Sequence, residues 1–134
     1  MTGVQTCALP ISVEETVAAM KLLLELGANV NAQNDGGLTA LHGAAHKAAL
    51  EEIKLLVDAG GRLDIHDKGK GTFQNVAEGL LPLDWAEGVT VGVQSAIYHA
   101  DAVELITKLM NEQGLKIPPR TRTLGGNAKV GNVK

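Results

Sequence analysis

His42 and His46 are the two side chains whose spacing comes nearest to a site. Four residues apart on one helix, two imidazoles face the same way and could ligate a metal ion. No Glu follows His42, as the H-E-x-x-H pattern requires, and no acid lies between or beside the pair; no metal is expected there. His66 and His99 lack ligand-like spacing and read as ordinary loop histidines. Gly69-Lys70-Gly71-Thr72 brushes against a phosphate-binding loop, but that motif needs Ser or Thr directly after its Lys, and Gly71 stands there. The remaining acids and hydroxyls fall on solvated faces, so no Ser/His/Asp or Cys/His arrangement can be drawn. No catalytic residue and no cofactor is expected, and the chain is not read as an enzyme.

What would hold these residues in place is a repeated pair of helices. Lys21-Leu22-Leu23-Leu24-Glu25-Leu26-Gly27 lies above Lys54-Leu55-Leu56-Val57-Asp58-Ala59-Gly60 at an offset of 33 residues, and a fixed period of that size decides architecture before any single element does. Leu50, Ile53, Leu56 and Val57 have the spacing of one buried helical face, with Glu51, Glu52, Lys54 and Asp58 outside it. Gly60 suits the left-handed position that closes a helix. Ala40 to Lys47 makes a shorter helix whose Gly43, Ala44 and Ala45 permit close approach; it is too short to stand alone.

The period, with Thr39, Leu41 and His42 in a T-x-L-H pattern, resembles the ankyrin repeat. Ala40 stands where that family usually has Pro. The resemblance covers about Ser12 to Gly114, strongly to Gly61 and weakly after it. It implies an all-α solenoid of helix-turn-helix units joined by hairpin-like fingers, acting as a noncovalent protein–protein interaction scaffold. It also implies that His42 braces the turn at Thr39, that Gly27 and Gly60 close helices, and that Leu41 belongs to the frame. Finger tips and the exposed inner-helix face then carry the binding surface: Asn34, Asp35, His46, Lys47, His66, Asp67 and Lys68. The partner is another protein, and the loop composition is similar to that of bacterial ankyrin proteins.

Taken in order, Met1 to Ile11 has no charge, no period and no counterpart in the repeat. It resembles the translation of a widely used sequencing adapter and is set aside as non-native. The only cysteine, Cys7, then says nothing of redox compartment, and localisation is left open. Ser12 to Asn34 is a partial repeat whose helix, Val13 to Leu26, starts on a capping box, Ser12-Val13-Glu14-Glu15. Its first helix is expected to be missing, which would bare Val17, Met20 and Leu24, destabilise the chain and invite self-association through the N-terminal end. Residues 35–67 form a full repeat. Residues 68–114 form a divergent C-terminal cap with an enlarged finger at Lys68 to Leu80, a short helix at Pro82 to Glu87, a second insertion at Gly88 to His99 and a last helix at about Ala100 to Gln113. In this cap Asp84 replaces the motif His, and Trp85 is expected to bury itself rather than stack on a ligand.

Leu115 to Lys134 carries five cations, no acid and much Gly, Asn, Thr and Pro, the composition of a disordered tail. Set against the total of −3, the rest of the chain carries −8, which makes nucleic acid an unfavoured partner of the body. No apolar run approaches the roughly 18–20 residues of a membrane span. Two other functions stay open: a C-terminal targeting module of a larger enzyme or redox protein, and anion or nucleic-acid binding through the basic tail.

Overall fold

The computed structural model describes residues 12–69, 79–89 and 97–117. Met1 to Ile11, residues 70–78 of the enlarged finger, 90–96 of the second insertion and the tail beyond Ile117 lie outside the described residues. Five helices follow one another: α1 (Val13–Glu25), α2 (Ala40–His46), α3 (Leu50–Asp58), α4 (Pro82–Glu87) and α5 (Ala100–Glu112), and among the described residues there is no strand. The predicted helices are all present, with α1, α2 and α5 each one residue shorter at the C-terminal end because the expected last residue serves as the cap.

Local chemistry sets the helix ends. Ser12 Oγ accepts from the Glu15 N–H at 3.1 Å while Glu15 Oε2 accepts from the Ser12 N–H at 3.0 Å, the reciprocal box that satisfies two otherwise orphaned donors. At the other end of α1, the Gly27 N–H donates to Leu24 O and the Ala28 N–H to Leu23 O, both at 3.0 Å. The same pair of bonds closes α3 at Gly60 and Gly61, and α5 at Gly114 and Leu115. This closure puts the first residue past the cap in the left-handed region, where glycine is cheapest; Gly27 and Gly60 sit there at φ +92° and +96°. α2 closes in the same way through Ala48 and Ala49, with Ala48 at φ +54° and no glycine to relieve it.

The helices form two layers. α2 and α4 pack against each other as the inner layer; α1, α3 and α5 make the outer layer, with α3 in the middle touching both of its neighbours. Leu41, Ile53, Leu63, Leu83, Ile106 and Met110 are fully buried between the layers, and each such side chain contributes roughly 1.5–3 kcal/mol. α1 differs from the other outer helices. None of its residues is fully buried, because no inner helix lies beside it among the described residues. Glu52 corrects the sequence reading: expected outside with Glu51, it is 9% exposed.

Candidate functional site

The two fingers are built side by side and tied together. In the first, Asn34 Oδ1 accepts from the Gly36 and Leu38 N–H groups, each at 3.0 Å, and the Asn34 N–H donates to Leu38 O at 3.1 Å. These bonds close the tip and leave Asp35 exposed upon it. The second finger is joined to the first by the Lys68 N–H donating to Gly36 O at 2.8 Å. Gln33 Nε2 donates to Gly37 O at 2.7 Å and to His66 O at 3.3 Å. Lower down, Asn31 Oδ1 accepts from the Arg62 N–H at 2.8 Å, and Asn31 Nδ2 donates to Gly60 O at 3.1 Å. Arg62 in turn grips Asp64 with two bonds of 3.0 and 2.8 Å, and that hydrogen-bonded guanidinium holds the Asp64 carboxyl below its usual range.

Of the residues expected to bind a partner, the structure brings Asn34, Asp35, His66 and Lys68 onto these adjoining fingers, all exposed. Asp67 is a correction. It is 6% exposed and turns inward. Its Oδ1 accepts from the Gly69 N–H at 2.7 Å and the Leu80 N–H at 2.9 Å, and its Oδ2 accepts from Trp85 Nε1 at 2.8 Å. One carboxylate thus pins both sides of the enlarged finger to the inner helix α4. The chain backs so closely onto itself here that a Cβ on Gly79 would run into the Asp67 carbonyl. Asp67 belongs to the frame, not the recognition surface.

His46 and Lys47 end α2 and face different surroundings. Lys47 is exposed and borders a groove between α1 and α2. His46 is half-buried: its ring stands edge-on to Trp85, with centroids 5.3 Å apart at 87°, so it is not the free outward-facing side chain that the sequence suggests. Burial, with His99 and Lys47 nearby, lowers its pKa.

Beneath the fingers lie the residues that brace them. His42 Nδ1 accepts from the Thr39 N–H at 3.0 Å and lies 2.9 Å from Thr39 Oγ1; Nε2, 3.0 Å from Leu80 O, must then carry the proton and donate. The neutral ring fits this set of partners, and burial pushes the His42 pKa down. With both nitrogens taken, His42 has none left for a metal. Among the described residues no group of three or more His, Cys, Asp or Glu is placed to hold one. Asp84 is the counterpart of His42 in α4, where its Oδ2 accepts from the Leu81 N–H at 2.9 Å as His42 accepts from Thr39. Trp85 is buried as expected and also stands edge-on to His42.

Residues 12–57 match the family model described as ankyrin repeats, many copies. No curated protein matches the chain. No described helix is long and apolar enough to cross a membrane.

Proposed function

From the premise that this is an ankyrin-repeat protein, in a family whose repeats mediate protein–protein interaction and are not typically enzymes, we propose that its paired fingers recognise another protein without covalent chemistry. The observation that carries this reading is the bracing of the tips. Asn34, Asp35, His66 and Lys68 are exposed, yet the backbones that bear them are cross-bonded through Gln33, Gly36 and Lys68. A surface ordered before binding loses little entropy on association. Its charges are mixed, Asp35 beside Lys68, which suits a polar partner surface better than a nucleic-acid backbone. Lys47 extends the surface at the end of α2.

A photo-crosslinking side chain placed at Asp35 or His66 in the full chain tests this in cells. The same protein should be captured from both positions and not from Lys54, which is exposed on the outer helix α3. Capture from Lys54 alone would overturn the reading. The 56%, 55% and 75% exposure of Leu22, Leu23 and Leu26 supports a second one, association of copies through the outer face of α1. Sedimentation across a range of concentrations tests it: a dimer that dissociates when Leu22 and Leu26 are replaced by Ser supports it, and a monomer throughout rejects it.

A further inference from the structure

We propose that the groove between α1 and α2 is a docking site for a short amphipathic helix of another protein, and that a Lys or Arg on that helix pairs with Glu52. The groove has a volume of about 670 Å3 and is walled by Val13, Thr16 and Met20 on α1, by Gly43 and Ala44 on α2, and by Glu52 on α3. A shallower depression of about 220 Å3, which shares Met20, Ala40 and Leu56 with it, prolongs the apolar floor towards Val30.

The register of the stack says that the occupant is a helix. α2 pairs with α3, and α4 with α5, while α4 packs on α2. The step that relates α4 to α2, taken once more in the opposite direction, leads to the groove, and α1 is the outer helix that would pair there. α2 and α4 are seven and six residues long, so about two turns would fill the berth. Gly43 lies on its wall, and a Cβ added there would meet nothing within 4 Å. A large side chain of the incoming helix has room at that point, as Trp85 of α4 has against His46.

Glu52 supplies the charge. It is 9% exposed and makes no hydrogen bond or ion pair among the described residues. In α5 the residue the same distance before the closing glycine is Ile106, fully buried. An apolar side chain is what packing alone would select here. A carboxylate bordering an apolar groove instead favours an occupant that brings a cation, since the pair would be largely desolvated and its hydrogen bonds charge-assisted.

The test pans a displayed library of helix-favouring peptides of about 12 residues, near the length at which an isolated helix begins to hold, against the full chain. Enriched sequences should carry a Lys or Arg between apolar residues on one helical face. Replacing that cation by Gln should weaken binding, read by fluorescence anisotropy, at least about tenfold, the factor expected from one charge-assisted bond. Glu52→Gln should erase the preference for the cation. Gly43→Leu, which fills the berth and leaves Glu52 in place, should weaken every selected peptide, whereas substitutions at Asn34 and Asp35 should leave them bound. Circular dichroism checks that each variant folds. The proposal is overturned if no peptide is enriched, if enriched peptides lack a cation or ignore Gly43→Leu, or if the chain forms a dimer that Gly43→Leu dissociates, since a second copy would then be the occupant.

Discussion

Replacing Asp67 by Asn should cost this chain about 3 kcal/mol of stability, although only an oxygen is exchanged for an NH2. The buried carboxylate accepts three hydrogen bonds: two at Oδ1 from backbone N–H groups and one at Oδ2 from Trp85 Nε1. An Asn side chain can keep the two at Oδ1. Its amide nitrogen then faces the Trp85 N–H, donor against donor at a spacing that was 2.8 Å. A hydrogen bond to a charged group is worth about 1.5–3 kcal/mol, and a buried donor left without an acceptor costs about 1–3 kcal/mol more. The two effects overlap in one contact and do not add in full. Asp67→Ala strands all three donors and should cost more, about 4–6 kcal/mol, a large part of the roughly 5–15 kcal/mol that holds a domain together. Trp85→Phe removes the offending donor, so in the double variant with Asp67→Asn the loss should fall short of the sum of the single losses by about 1–2 kcal/mol. Urea unfolding followed by far-UV circular dichroism measures all four proteins, because Trp85 is the sole tryptophan and its fluorescence vanishes in half of them. If Asp67→Asn lies within about 0.5 kcal/mol of the parent, or if the two substitutions are additive, the bracket does not hold the finger to α4.

Three further outcomes follow from the same structure. His42 is held neutral with its folded pKa below the ordinary value of 6.5, so the unfolded chain binds the proton more readily. Stability should be full above about pH 7 and fall as pH drops through 6.5 towards the lowered folded value; a urea midpoint that stays flat between about pH 7.5 and 5 would contradict this, and His46 pulls in the same direction. Ala48, at φ +54°, occupies the place where the other closures hold glycine. Ala48→Gly should therefore raise stability by about 0.5–1 kcal/mol in the same assay, and a loss would mean that the strain is not there. Finally, α1 has no fully buried residue, so its amides should exchange with deuterium well before those of α3 and α5; equal protection would show that something covers it.

The parts of the fold legible in the sequence are those fixed within a few residues. A capping box at Ser12, closing glycines at Gly27 and Gly60 and an apolar stripe through Ile53 and Leu56 all act over one or two helical turns. Their chemistry is printed in their spacing. Asp67 is not legible in this way because its partners are distant: Leu80 and Trp85 lie across the enlarged finger, and only the folded chain says that the carboxylate turns inward. Glu52 escapes the pattern for a related reason. Its neighbour Glu51 faces solvent, and periodicity alone does not tell which neighbouring helix overhangs the next position. Asp84 is visible as a departure from the T-x-L-H pattern, and its equivalence to His42 rests on each accepting from the backbone N–H three residues before it. Gln33 and Asn31 give no signal; the side chains that join one finger to the next are ordinary amides in a loop.

Whether the paired fingers form the recognition surface is decided by amide hydrogen exchange on the full chain, alone and with the protein captured by crosslinking at Asp35. Recognition through the fingers predicts slowed exchange at Asn34 to Gly37 and at Ile65 to Lys68, with the outer faces of α3 and α5 unchanged. Slowing confined to α3 and α5, with both fingers exchanging as in the free chain, would contradict it.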